Sequence, residues 1–288
     1  MIKNNKLKII IIILIGLLSN SIISQNNLLD EIDYDNEEYK VGLSAFKAHK
    51  IMNGQSTKQS SKDELYLYVA HRFGSLNGGI KTLFGLDIAN TKIELLYGLS
   101  DNLQVGFSRE SLKKIYTLNF KYKLTDQGSK FPVNTSFYAS YNYNSSLDED
   151  IYPTLTESDK NLFLGQLLLS TRISDKLSIQ LSPTYAKKGF TETIFEEENN
   201  IIIGLGSSFR ITNKLALNVE YFANLDRPEI SPYQDVLSFG IDIETGGHIF
   251  QLLFSNTQTS DDVSVLTDAE GSWKDGEIYF GFNILRVF

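Results

Sequence analysis

The chain has 288 residues, no cysteine, a formal net charge of −8, and a composition that is 42% hydrophobic and 12% aromatic. The acidic balance argues against a nucleic-acid partner, and the lack of Cys excludes a disulfide framework, a thiolate metal site and a lipid-modified N-terminal cysteine. With 15 Tyr and 18 Phe against 5 Pro and 2 Met, the sequence reads as one large all-β domain.

Lys3, Lys6 and Lys8 precede an apolar run over 9–18, and a polar stretch of small residues follows over 19–25. That layout predicts a secretory signal peptide over residues 1–24, cleaved near Ser24. The apolar run is too short to span a bilayer as a mature helix. Residues 25–60 then read as an acidic leader, with Asp30, Glu31, Asp33, Asp35, Glu37 and Glu38, followed by a periplasmic or plug-like segment. Within it, 41–54 is apolar enough to fold onto the periplasmic mouth or into a lumen. The β-barrel domain is expected over 61–288.

Alternation predicts strands over 64–74, 91–99, 103–110, 114–125, 132–144, 161–173, 177–187, 200–211, 215–225, 235–244, 248–257 and 277–287. Three hairpins carry nearly the same turn, at Ser100-Asp101-Asn102, Ser174-Asp175-Lys176 and Thr212-Asn213-Lys214, and Thr245-Gly246-Gly247 makes a fourth. Side chains of these types bond to nearby backbone and accept turn dihedrals. Residues 126–130 form a slightly longer fifth turn. The other connections, 77–90, 145–160, 188–199, 226–234 and 258–276, are long. An even count of about twelve strands, with short turns at one end and long loops at the other, is the pattern of an antiparallel up-and-down transmembrane β-barrel with short periplasmic turns and long extracellular loops.

Each strand offers one oily and one wet face. Leu103, Val105 and Phe107 oppose Gln104, Gly106 and Ser108; Leu177, Ile179 and Leu181 oppose Ser178, Gln180 and Ser182; Ile201, Ile203 and Leu205 oppose Gly204, Gly206 and Ser208. The apolar face is assigned to lipid and the polar face to a wet lumen. Charges at Glu94, Lys121, Lys123, Arg172, Arg210, Glu220, Asp242 and Glu244 fall mainly on the polar face. Mixed signs in a narrow barrel favour a packed ion-pair network over a selective pore, because charges leaving bulk water need partners. A soluble lipocalin-like barrel would turn the same faces the other way. The last strand alternates and ends the chain on Phe288, like the terminal strand recognised by the barrel insertion machinery; Arg286 departs from that pattern and is expected to snorkel.

The stretches Phe46-Lys47-Ala48-His49-Lys50-Ile51-Met52-Asn53-Gly54, His71-Arg72-Phe73-Gly74-Ser75-Leu76, Leu83-Phe84-Gly85-Leu86-Asp87, the run 97–109, and Glu244-Thr245-Gly246-Gly247-His248-Ile249-Phe250-Gln251-Leu252 resemble an uncharacterised outer-membrane β-barrel family known only as a domain of unknown function. The resemblance covers most of the chain from about residue 41 and implies location and fold, with no established activity or catalytic residues to carry over.

Chemistry-bearing motifs are sparse. His49, His71 and His248 are the only histidines, and none has metal-ligand spacing. His71 beside Arg72 reads as structural, and His248 as packing at the periplasmic rim. Gly74-Ser75-Leu76-Asn77-Gly78-Gly79 lacks the Lys and following helix of a phosphate cradle and reads as a flexible loop. No G-x-S-x-G elbow occurs. The acidic runs Asp148-Glu149-Asp150, Glu196-Glu197-Glu198 and Asp261-Asp262 all fall in expected outer loops. They read as solvated surface, with divalent-cation bridging to lipopolysaccharide as the alternative. No catalytic, cofactor-binding or metal-binding residue is nominated. The expected partners are outer-membrane lipid and lipopolysaccharide, the insertion machinery and a small solute. The functional expectation is a non-enzymatic narrow channel, small-solute transporter or structural barrel. The alternatives are an outer-membrane hydrolase with a rim site and a soluble binding barrel.

Overall fold

The computed structural model describes residues 44–288 apart from 129, so the expected signal peptide and acidic leader lie outside the described residues. Twelve strands make up almost all of the regular structure: β1 (Leu65–Ser75), β2 (Ala89–Ser100), β3 (Leu103–Glu110), β4 (Ile115–Thr125), β5 (Asn134–Asn144), β6 (Asn161–Arg172), β7 (Leu177–Lys188), β8 (Asn199–Arg210), β9 (Leu215–Asn224), β10 (Val236–Thr245), β11 (His248–Ser255) and β12 (Tyr279–Val287). Each pairs antiparallel with its sequence neighbours, and β12 returns to β1 to close the ring. Closure leaves no edge strand exposed. At the seam Tyr66 sits opposite Val287 and Ala70 opposite Asn283, and the Phe288 N–H donates to the Leu65 carbonyl at 2.9 Å.

The repeated turns work through their first residue. The Ser174 hydroxyl accepts from the N–H groups of Lys176 and Leu177 at 3.3 and 3.1 Å, and the Thr212 hydroxyl accepts from Lys214 and Leu215 at 3.2 and 3.1 Å. In both, the backbone closes again from the other side, Ile173 to the Leu177 carbonyl and Ile211 to that of Leu215, each at 2.9 Å. The two sites are therefore chemically the same turn. At Gly246-Gly247 the turn is made by backbone freedom instead, with Gly247 at φ +94°.

The oily face points outward as expected. Leu95, Phe107, Leu118, Phe163, Ile201 and Phe239 are all exposed, while their chain neighbours Glu94, Ser108, Thr117, Leu162, Ile202 and Ser238 are buried. Arg286 lies over the Phe288 ring, 4.7 Å from its centroid.

Two features differ from the sequence reading. The connection after β1, read as a flexible loop, winds into a 3-10 helix over Leu76–Gly85 whose backbone includes left-handed Leu83 and Phe84. The lumen is also wet in only part of its length. Leu162, Leu164, Ile202, Phe222 and Val236 are buried on the inner wall, and they join Val263, Val265, Leu266 and Ala269 in one apolar cluster. Those last four come from the β11–β12 connection, which turns back inside the barrel and gives the inner-wall apolar residues something dry to pack on.

Candidate functional site

Two stretches of chain occupy the lumen. The first, Ser44–Ser61, leads into β1 from the short-turn end, where Lys47 contacts Asn213 and Glu244. It turns at Met52-Asn53, with Ile51 N–H bonded to the Gly54 carbonyl at 2.9 Å and a bridge between Lys50 and Gln55. Wall side chains then hold its backbone. Glu220 accepts three N–H groups, from Met52 at 3.2 Å, Asn53 at 2.7 Å and Gly54 at 3.0 Å. Hydrogen bonds to an ionised acceptor are the stronger kind.

The remaining bonds come from around the ring. Gln251 donates to the Lys50 and Ile51 carbonyls, Asn283 to that of Met52, and Gln180 to that of Gln55. Lys121 spends its three protons on the carbonyls of His49, Ser56 and Lys58, at 3.2, 2.8 and 2.9 Å. The Asn53 side chain donates to Ser238 and Ser255 and accepts from Arg72 at 2.8 Å. Fit is tight at two glycines: a Cβ on Gly54 would lie 2.3 Å from the Phe222 ring, and one on Gly98 would lie 1.8 Å from the Ser61 carbonyl.

The second stretch, residues 256–270, enters from the long-loop end through a single helical turn, Ser264–Thr267. Its anchors are carboxylates. Asp262 pairs with Lys92 at 2.9 Å and Lys50 at 3.2 Å and accepts the Tyr138 hydroxyl proton, with Glu94 3.7 Å from the same Lys92 ammonium. Asp268 pairs with Lys113 at 2.5 Å and Lys188 at 2.9 Å, and Lys188 also contacts Glu196. Burial opposes ionisation of Asp268, but these two ammonium groups outweigh it and hold the carboxyl well below the usual range. Lys113, in the β3–β4 connection, is pulled down by its own burial and pushed up further by Asp268 and Asp261. Lys50 therefore ties one internal stretch to the other, near the middle of the barrel. Two of the spaces left beside them are small, about 20 Å³ next to Lys113 and Asp268 and about 20 Å³ beside Phe46 and Asp242, each enough for a single water.

Of the charges expected on the inner face, Glu94, Lys121 and Glu220 are fully buried. Asp242 accepts from Gln251 at 2.8 Å. Lys123, Arg172 and Glu244 sit toward the short-turn rim, paired with Asp126, Asp175 and Lys47. Arg210 borders the space beside Phe46 at the same rim. Asp261-Asp262 is a correction: this run is buried in the lumen and is not part of a solvated outer loop. Its polarity suits a wall that offers Lys92 and Tyr138 in place of water. Sequence reasoning missed Arg72, Lys92 and Lys188, although Lys92 shares the face of Glu94 by its two-residue spacing.

The histidines divide three ways. His71 hydrogen-bonds Thr91 at 2.9 Å and packs between Phe73 and Phe282 on the outer face. His248 stacks on Phe250 at the short-turn rim. His49 is buried, with Nε2 3.2 Å from the Ser60 hydroxyl and Nδ1 without a hydrogen-bond partner. That pair has a base and a hydroxyl but no acid on the far nitrogen to orient the ring, as a nucleophilic triad needs. Among the described residues no group of three or more His, Asp or Glu is arranged to hold a metal ion.

A closed ring of twelve antiparallel strands with an oily exterior and chain folded into its lumen defines a transmembrane β-barrel of the bacterial outer-membrane type. The chain belongs to the membrane bound beta barrel domain family DUF5777, whose model matches residues 46–288. Among solved structures it is similar to the NanC porin, with 8% identity and a TM-score of 0.50 over 77% of this chain and 98% of the porin. The KdgM porin aligns with 8% identity and a TM-score of 0.47 over 77% of this chain and 99% of its own. The outer membrane protein Omp33 of Acinetobacter baumannii gives 10% identity and a TM-score of 0.44 over 80% of this chain and all of that one. The NanC likeness shows the fold. No curated protein matches the sequence. The protein is an outer-membrane β-barrel.

Proposed function

We propose that the protein is a non-enzymatic channel for a small polar solute, closed by its own chain at both ends and oriented with the long loops outside and the short turns in the periplasm. The observation that carries this reading is how the short-turn half of the lumen is filled. Wall side chains such as Glu220, Lys121, Gln180 and Gln251 bond to the backbone of a separate stretch, alongside a few bonds within the wall such as Gln251 to Asp242 and Gln180 to Ser182. Water or a solute hydroxyl can replace backbone in such bonds at little net cost, because each bond is an exchange of partners. Twelve strands enclose more cross-section than an eight-stranded wall, whose own side chains just fill it, so withdrawal of the stretch would leave an aqueous path. The porin fold of NanC fits the same role.

Single-channel recording in planar bilayers tests this. The full chain is expected to be closed or weakly conducting, and a variant lacking residues 44–58 to conduct steadily. A truncated variant that still runs as a heat-modifiable barrel yet stays silent would overturn the reading. Contact with lipopolysaccharide through Asp148-Glu149-Asp150 and bridging divalent cations, and assembly by the insertion machinery through β12, belong to the same proposal.

A further inference from the structure

A polar cavity of about 270 Å³ lies at the short-turn mouth, between the end of the first internal stretch and the wall of β4 and β5. Gln59, Ser61, Lys123, Thr125, Asn134 and Ser136 are among the residues around it, and none of its lining residues is apolar. We propose that this cavity binds one small, uncharged, polyhydroxylated solute of monosaccharide size. The proposal rests on the channel reading for its purpose, since such a solute would be the cargo, but binding itself does not require conduction.

Three observations set the ligand class. The volume lies just under the range typical of drug-sized ligands, roughly 300 to 1,000 Å³, and the lining offers no apolar side chain to an acyl chain or an aromatic ring. Charge around the cavity is balanced. Lys123 is already paired with Asp126 at 3.1 Å, and Lys58 and Asp101 add one charge of each sign, so no net field selects an anion such as phosphate. Hydrogen-bonding capacity is left over. The Gln59 amide donates to the Asp101 carbonyl at 2.9 Å, which fixes its orientation, while its Oε1 and the Ser136 Oγ are buried without a protein partner. A buried oxygen without a partner is costly unless something supplies the donor. A solute hydroxyl that reached either oxygen would supply one, and would accept in return from the Ser and Thr hydroxyls of the lining. Because one side of the cavity is the internal stretch and the other is the fixed wall, a solute there would touch the part expected to move and the part that does not.

Isothermal titration of the full-length protein in micelles, with glucose, glycine and inorganic phosphate as probes, tests the assignment. Saturable one-to-one glucose binding is expected, stronger than either charged probe. Ser136→Phe, which fills the cavity, should weaken it about tenfold or more, and Gln59→Leu, which removes one acceptor, by a few-fold. No saturable glucose binding, tighter binding of glycine or phosphate, or full affinity in heat-modifiable Ser136→Phe would overturn the proposal. If Ser136→Phe fails to fold, Gln59→Leu decides in its place. Binding without conductance would keep this site and remove the channel, whereas conductance without binding would do the reverse.

Discussion

The two internal stretches fill one lumen by opposite means. Ser44–Ser61 is held largely through its backbone by neutral amides and a few charges, and the majority of its bonds run from a wall side chain to a main-chain group, with Lys47, Asn53 and Gln59 adding side-chain bonds of their own. Residues 256–270 are held through side chains, by the Asp262 and Asp268 ion pairs below and above an apolar cluster. Bonds to backbone are exchangeable and depend little on which side chain the stretch carries. Ion pairs and methyl groups are specific to the residue, and their loss leaves a buried charge or a void. On the proposed channel reading, the first stretch is the part expected to move and the second the part expected to stay.

The largest effect should come from Asp262→Ala, which strands Lys50 and Lys92 in the lumen. Removing one partner of a buried pair costs about 3 kcal/mol or more, and denaturant titration in lipid vesicles should show it. Leu266→Ala leaves a void in the apolar cluster and should cost about 2 to 3 kcal/mol by the same titration, without raising conductance. A milder but more telling change is Glu220→Gln, which keeps the shape and weakens three bonds to the first stretch. The expected loss of stability is about 1 to 2 kcal/mol, accompanied by channel openings that Leu266→Ala does not show. Equal conductance in the two variants would erase the contrast between the stretches.

Acid gives the smallest and most local test. Asp268 has a folded pKa below its unfolded value of about 3.9, so its stabilisation is complete above roughly pH 4 to 5 and is lost as pH falls through that range and below. Burial raises Asp261 of the same stretch, which gives a contribution of opposite sign, so the comparison must be made against Asp268→Asn. Trp273, the single Trp, donates to the Leu237 carbonyl at 3.2 Å and packs 5.2 Å from Phe239. Its emission should shift to longer wavelength on acidification in the native chain and much less in Asp268→Asn. An identical transition in both would remove Asp268 from the account.

The wall was legible because alternation is forced. A strand between lipid and lumen must show one face to each, and the boundaries read from sequence at β3, β7 and β9 fall within a residue of those observed. The contents of the lumen were much less so. A polar loop looks the same whether water or a polar wall surrounds it, and only Val263, Val265 and Leu266 within 258–276 marked a dry destination. β6 held a further clue, since Leu162, Leu164 and Leu168 face inward while Phe163 and Leu167 face out, so both of its faces are apolar. The stretches that carry the family resemblance also meet inside. Arg72 reaches Asn53, and Gln251 bonds Lys50 and Ile51, none of which spacing along the chain would reveal.

Closure of the ring places an order on assembly. β1 follows one internal stretch after residues 62–64, and β12 follows the other after residues 271–278, so each strand of the closing seam is preceded in sequence by chain that lies inside the barrel. A sheet that zipped shut along β1 and β12 before those stretches turned inward would have to thread them through a finished mouth. Lys50 and Asp262 meet across 212 residues of sequence, and such distant contacts form slowly because the loop between them must first be ordered. The wall and the chain inside it therefore meet at a single seam, where β1 and β12 join and the two internal stretches lead into them.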